Sequence, residues 1–494
     1  MKTVWVLGDQ LNRDIGALAE LGPNDARVLM VESERAIGSL AFHRQRLHFV
    51  LTAMRGFADE LRETGYQVDY RRAKSFESGL SGHVDRFNPS EVVATEPSSR
   101  PMEHRLRELN VAFVRSNQFL CHRDEFAEWA GDSKQLRLET FYRWQRKRLD
   151  YLMDGDEPAT GRWNYDDQNR EPPPADGGDW PTPQRSRLDD LDEDVLADLP
   201  DHAPGDAPTG WWATTRRAAL ARLKHFIDEV LPGFGPHEDA MLADNWHLAH
   251  SLLSPYLNLG LLLPQEVCDQ AEAAYRNGRA PINSVEGLIR QIIGWREFVW
   301  GVYWLWPDQY DANTLNHRRQ LPPAFTGEAE TEMRCLQTAL DGLRERAWAH
   351  HIQRLMVLAN FANLYGIRPA LVRDWMRANY VDGGAWVMGP NVMGMGLWAD
   401  GGRMSTKPYV SGGAYINRMS NYCKGCRFNP SDRTGDDSCP FTTLYWDFLD
   451  RHRKRLRSNP RVARQYSTLD RLKDLEDVKA RAKYVTRAIR DGRL

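Results

Sequence analysis

Apolar and polar positions change rhythm along the chain, and the changes divide it. Over residues 1–130, short apolar runs at Val4–Leu7, Val28–Val31, Val68–Arg71, Val92–Thr95 and Val111–Val114 alternate with stretches of helical periodicity. Strand-length runs separated by helices predict βαβ units and therefore an α/β domain on a doubly wound parallel sheet. Such sheets meet their ligands outside the carboxyl ends of the strands. Gly8, Asp9 and Gln10 follow the first strand and Glu32 ends the second, which makes these four the candidate ligand residues of this half. No GxGxxG phosphate loop is present, and a strand-end turn capped by Asp9 would carry the same residues.

Residues 131–210 then read as an interdomain linker, acidic and Pro-rich from about residue 154. Between Asp154 and Asp206, 16 Asp/Glu stand against 4 Lys/Arg, with three consecutive prolines at 172–174, a composition that predicts an exposed connection. From Trp211 the period is helical and no strand run is convincing, so residues 211–450 predict an all-helical domain. Trp295, Trp300, Trp304 and Trp306 crowd into it at spacings that suit packing. Residues 451–494 form a basic helical tail, with 15 Lys/Arg against 5 Asp/Glu. A phosphate backbone or plain solvent would suit that face equally.

A chain of 494 residues exceeds one hydrophobic core and implies two or three domains. Its net charge of −3 averages over segments of opposite sign and says little about partners. No run approaches the ~20 apolar residues of a membrane span, and Asp9 interrupts the first apolar run too soon for a signal peptide. Six cysteines without a disulfide framework suit a reducing cytoplasm. Cys121 and Cys268 stand singly and read as inert thiols. Cys423-Lys-Gly-Cys426 is followed by Cys439-Pro, with Cys335 alone 88 residues before Cys423. Cys-x-x-Cys places two sulfurs on one turn. The 3+1 spacing leans towards iron–sulfur over zinc, with unliganded core thiols as the third reading.

Two further motifs carry a resemblance. Ser251-Leu-Leu-Ser-Pro-Tyr-Leu-Asn-Leu-Gly resembles the flavin-phosphate segment of the photolyase/cryptochrome family, and Glu286-Gly-Leu-Ile-Arg-Gln-Ile-Ile-Gly-Trp-Arg-Glu-Phe resembles its next flavin-contacting helix. The stretches His350-His-Ile-Gln-Arg-Leu-Met, Trp386-Val-Met-Gly-Pro-Asn-Val-Met-Gly-Met, Ala399-Asp-Gly-Gly and Lys407-Pro-Tyr-Val-Ser-Gly-Gly-Ala-Tyr are similar to one branch, the iron–sulfur bacterial cryptochromes and photolyases, or prokaryotic (6-4) photolyases. Leu7-Gly-Asp-Gln-Leu and Thr52-Ala-Met-Arg match it too, so the resemblance spans nearly the whole chain.

The resemblance implies the photolyase/cryptochrome fold, FAD in the helical domain, and a [4Fe–4S] cluster on Cys335, Cys423, Cys426 and Cys439. It implies 6,7-dimethyl-8-ribityllumazine as antenna chromophore near Gly8, Asp9, Gln10 and Glu32, whose polar groups suit a ribityl chain. Ser251, Leu253 and Ser254 match the flavin-phosphate segment, where hydroxyls and backbone N–H groups suit a pyrophosphate and would equally serve as helix caps. Arg290, Trp295 and Arg296 match the flavin-contacting helix; the two arginines need either an anionic cofactor or a carboxylate such as Glu297. Asn391 and Asp400 match the isoalloxazine-contacting region, and Trp375 the photoreduction path.

The activity implied is light-driven repair of (6-4) photoproducts in UV-damaged DNA by electron transfer from photoexcited reduced FAD. That chemistry needs a proton donor. Of His350 and His351, about 100° apart on a helix, only one should face the lesion, and His351 is the expected donor. Tyr409 and Tyr415 match lesion-pocket positions that can stack a flipped base. Asp166 matches a segment with a bound cation, here Mg2+, near the lesion, although Asn-Tyr-Asp is also an ordinary turn. Met376 stands where an aromatic residue can occur, and Met388 where some members place a carboxylate. The expected protein is a cytoplasmic monomer. A cryptochrome photoreceptor of the same fold, or a non-catalytic iron–sulfur nucleic-acid-binding protein, would share many of these features.

Overall fold

The computed structural model describes residues 1–494. Five parallel strands, β1 (Lys2–Trp5), β2 (Ala26–Ser33), β3 (Gln67–Ala73), β4 (Val92–Thr95) and β5 (Ala112–Val114), are ordered β3-β2-β1-β4-β5. Period-two alternation explains how one sheet serves two layers. Val4, Val28 and Met30 point to one face, against Phe49 and Phe57 of the helix Arg44–Glu63. Trp5, Leu29 and Val31 point to the other, where Leu80 and Leu106 of the helices Phe76–Phe87 and Arg100–Glu108 cover them. Pairing of β1 ends at Trp5, although Val6 and Leu7 stay buried. The strand order reverses between β1 and β4, so the loop starting at Gly8 opens into the crevice at that switch point.

The acidic segment is more ordered than its composition predicts. It contains a two-stranded hairpin, Met153–Asp154 with Glu157–Pro158, and the helix Asp190–Asp198. That helix docks on Arg44–Glu63 through His48–Asp192 at 3.0 Å and Arg55–Asp198 at 2.7 Å, with Val195 buried beneath it. Asp192 and Asp198 thus find basic partners on a neighbouring helix.

Beyond residue 211 the chain is helical, with two large cores beside a smaller aromatic one around Phe298 and Trp300. One runs from the sheet face through Leu223, Phe226, Leu257 and Ile293. The other gathers residues from Met333 to the C-terminus, including Cys335, Phe361, Phe441 and Ile489. The tail is part of the second core: Val478, Ala482, Val485 and Ile489 of the helix Leu475–Arg490 are buried. Many of its basic side chains are paired within the chain, Arg453 and Arg457 with Asp470 and Arg481 with Asp436. Helices are interrupted by π-helical turns at Phe226–Val230, Arg290–Arg296, Gln353–Ala359 and Asn391–Gly396, a device that re-aims side chains and recurs at functional sites. No helix is long and apolar enough to cross a membrane.

Candidate functional site

Four distant cysteines converge on one cavity. Cys335 sits in the first turn of the helix Arg334–Arg346, Cys423 and Cys426 on the tight turn Tyr422–Gly425 and its end, and Cys439 at the N-cap of the helix Pro440–Arg451. Met333, Gly413, Ile416, Tyr422, Phe428 and Phe441 complete the lining. All four thiols are free. Burial pushes Cys335 well above the ordinary thiol range, with the neighbouring cysteines adding to it, and raises Cys423 to about 12. Cys439 is raised by burial and eased by the backbone N–H groups of Thr442 and Phe441. Gly413 brings the wall close: a Cβ there would lie 2.9 Å from the Cys439 Sγ and 3.1 Å from the Pro430 Cα. Four sulfurs around one cavity, two buried and two half-buried, are a donor set for a thiophilic metal centre.

A second constellation gathers around the start of the segment after Trp348. His350 is buried, and its backbone N–H donates to Gln353 Oε1 (3.3 Å). The side-chain amide of Gln353 donates to Tyr422 Oη at 2.9 Å, which joins the histidines to the wall of the cysteine cavity. His351 is partly exposed and lies 3.4 Å from Asp239 Oδ1. Burial opposes charge on His351, yet the hydrogen bond to Asp239 and the nearby Glu238 and Asp239 carboxylates raise its pKa. Glu238 is itself raised to about 7, chiefly by burial, while accepting from Gln291 Nε2 at 2.5 Å. Tyr409 and Tyr415 belong to the same quarter: burial raises both phenols, with Asp239 acting on each and Asp166 on Tyr409. The site is therefore an imidazole with a strengthened hold on its proton, flanked by carboxylates and two phenol rings.

Ser251 and Ser254 approach this constellation from the other side. The loop before the helix Ser254–Leu259 holds Leu248 at φ 41° and Leu252 at φ 55°, left-handed conformations that cost energy for a bulky residue and cluster at functional sites. Ser254 Oγ donates to Asp382 Oδ2 at 2.6 Å. Asp382 is buried and also receives Arg354 Nη1 and Nη2, at 3.0 and 3.1 Å. Arg354 in turn stacks over Tyr380 at 4.1 Å. Neither Arg354 nor Asp382 stands out in sequence; the one signal is that Arg354 lies three residues beyond His351 in the same motif.

Arg222, His225, His247, His250, Ser251 and Leu253's neighbour Leu252 line a pocket beside that loop. Arg222 Nη1 and His225 Nε2 are buried there without hydrogen-bond partners. Unpartnered buried donors beside the Ser251 hydroxyl fit an anionic ligand such as a pyrophosphate. Arg222 was invisible to motif reading because it sits among Ala219, Leu223 and Phe226 on an ordinary amphipathic helix.

The remaining candidates lie elsewhere or are internally satisfied. Arg290 pairs with Glu139 at 2.8 Å, and Arg296 with Glu297 at 3.0 Å while stacking on Phe119 at 4.0 Å. Trp295 packs edge-on against Phe298 in an aromatic core shared with Phe126 and Phe141. Asn391 Nδ2 donates to Val387 O within its own helix. Asp400 accepts from Gln309 Nε2 and from the Gly402 and Met404 N–H groups, and burial raises its pKa. Trp375 donates to Phe325 O and packs on that ring at 4.7 Å, with Met376 and Met388 buried in the second core.

At the sheet switch point, Asp9 accepts from Ser98 Oγ, its carbonyl accepts from Gln118, and burial raises its pKa. Gln10 donates to Thr95 O and Glu96 O, while a Cβ on Gly8 would meet Met54 Sδ at 2.9 Å. Glu32 is engaged on the far side of β1 by Arg55 at 2.7 Å and Tyr70 Oη at 2.5 Å. Asn12 Nδ2 is buried there without a partner.

Comparisons with known proteins bear on both halves. Residues 4–211 match the family described as deoxyribodipyrimidine photo-lyase-related protein. A (6-4) photolyase of Agrobacterium fabrum is 41% identical over 500 aligned residues, covering 97% of this chain and 98% of that protein. Among solved structures, a class III photolyase of Agrobacterium tumefaciens superposes with TM-score 0.57 at 17% identity, over 99% of this chain and 98% of its own. A cryptochrome of Synechocystis superposes with TM-score 0.53 at 16% identity, over 80% and 83%. The parallel sheet with its helical partner is thus the photolyase/cryptochrome fold, and the chain belongs to the deoxyribodipyrimidine photolyase-related family.

Proposed function

We propose that this protein is a DNA (6-4) photolyase, which uses blue light to restore (6-4) pyrimidine–pyrimidone photoproducts. The observation that carries the reading is His351, exposed enough to meet a lesion and with its pKa raised by Asp239 and Glu238 against the opposing effect of burial. The full-length likeness to a (6-4) photolyase supports it. FAD, when bound in reduced form and excited, supplies the electron. The chain's residues do the rest: Ser251 and Arg222 provide donors for the cofactor's phosphates, while the Ser254 hydroxyl, donated to the Arg354–Asp382 pair, ties down the loop that carries Ser251. His351 Nε2–H would donate a proton to the damaged base and take it back from the separating bases as the electron returns, since restoration is an isomerisation with no net proton uptake. Tyr409 and Tyr415 stack the extruded bases, and the half-buried phenols keep bulk water from the site. Asp166 and Asp239 provide oxygens suited to Mg2+ beside the lesion.

The cysteine cavity takes a [4Fe–4S] cluster in this reading. Its four sulfurs come from three separate elements and line one cavity, as the corners of a cube require. The crevice of Gly8, Asp9 and Gln10, with the unpartnered Asn12 amide, takes the lumazine antenna, and Glu32 supports it only through Arg55 and Tyr70. The test is blue-light turnover of oligonucleotides carrying a defined (6-4) photoproduct, with a cyclobutane dimer as control. Restoration of the (6-4) substrate alone is expected. A flavin-loaded protein that turns over neither lesion would instead be a cryptochrome-type photoreceptor.

A further inference from the structure

Three imidazoles meet where the loop Leu248–Leu252 faces His350-His351, and proton donation by one of them does not account for the other two. His250 and His350 stack at 4.4 Å with planes 14° apart, and His250 meets His351 edge-on at 5.5 Å. One ring nitrogen of each lies within 4.8 Å of the other two. Both ring nitrogens of His350, and Nε2 of His250, are buried without a hydrogen-bond partner. Such atoms are rare in folded proteins because each forfeits its hydration with nothing in return, so an unassigned ligand is the natural completion. The strained Leu248 and Leu252 backbone holds His250 in this place.

We propose that His250, His350 and His351 form a binding site for a divalent transition-metal ion of the Zn2+ type, and that its occupancy switches repair off. Three imidazoles are a recurrent zinc ligand set, leaving a fourth position for water. Oxygen-seeking Mg2+ and Ca2+ are the wrong class for three nitrogens. Burial, then the neighbouring imidazoles and Arg354, hold His250 and His350 in the neutral form that binds metal. Glu238 and Asp239 supply negative charge nearby, and Arg354 is offset by its pair with Asp382. With the metal on Nδ1 of His351, Nε2–H remains to donate to Asp239, the usual carboxylate–histidine–metal arrangement. Metal on Nδ1 takes the place of the second ring proton, so the imidazolium from which Nε2–H is donated in repair no longer forms. The inhibitory consequence rests on the repair function proposed above; the binding does not.

The experiment uses full-length protein carrying its flavin and cluster, freed of loose metal, and titrated with Zn2+ against a chromogenic chelator. One equivalent should bind, at least about tenfold more weakly in His250→Ala and His350→Ala, and repair should fall with occupancy and return on adding EDTA. Flavin absorbance checks that each variant keeps its cofactor; if either buried variant loses it, the more exposed His351→Gln must show the same weakening. Binding that all these substitutions leave unchanged, or no bound equivalent at all, overturns the proposal. Metal-free protein that binds Zn2+ as described but repairs nothing would strike the repair reading alone.

Discussion

Removing the Arg354 guanidinium while leaving Asp382 in place tests the centre of the helical half. The Asp382 carboxylate is 5% exposed and takes two guanidinium hydrogen bonds of 3.0 and 3.1 Å besides the Ser254 hydroxyl at 2.6 Å. In Arg354→Met, only the hydroxyl remains to solvate a buried anion. Breaking a buried pair from one side costs about 3–5 kcal/mol, because the desolvation of the surviving charge is no longer offset. Against a total of about 5–15 kcal/mol, that is a large share of the stability. Replacing both partners, as in Arg354→Met with Asp382→Leu, should recover most of the loss. Urea unfolding followed by tryptophan fluorescence, at matched cofactor content, measures both the loss and its recovery. A single variant within about 1 kcal/mol of the parent, or a double variant as unstable as the single, would refute the assignment of Arg354–Asp382 as a buried pair that the fold depends on.

Cys426→Ala should lose the visible absorbance of the cluster together with most of the soluble protein, since a centre joining residues 335 and 439 contributes folding energy; a stable, flavin-loaded variant without iron would count against that role. His351→Ala should abolish (6-4) repair with flavin absorption intact, and retained repair removes it from the chemistry. Because Asp239 and Glu238 raise the His351 pKa, repair should persist to higher pH than an ordinary imidazole allows, and Asp239→Asn should move the alkaline limb of the pH–rate profile to lower pH; an unmoved limb would separate that limb from His351. Truncation before Leu475 should unfold the second core rather than merely weaken DNA binding, because Val478, Ala482, Val485 and Ile489 are buried there; a shortened chain with unchanged urea midpoint would contradict this packing.

What could be read from sequence, and what could not, follows from the range of the interactions. The strands were legible because period-two burial is local: Val4 and Trp5 already announce opposite faces, and only the end of β1 differs, where burial of Val6 and Leu7 outlasts the pairing. The cysteines were legible as a set because their chemistry is specific, even with Cys335 on a separate helix. Arg354, Asp382, Arg222 and Asp239 were not, since an ion pair across 28 residues or a hydroxyl–carboxylate bond across 128 leaves no periodic trace. Arg290 and Arg296 show the limit differently: a buried arginine demands an anion, but sequence cannot say whether the anion is a ligand or Glu139 and Glu297. The tail is the most instructive. Its surplus of basic residues invites a nucleic-acid reading, whereas the apolar spacing from Val478 through Ala482 and Val485 to Ile489 is that of a helix packed on a core. Charge counts describe the face a helix shows to water and periodicity describes the face it hides. Asp470 held between Arg453 and Arg457 shows that part of the visible positive charge is already spoken for.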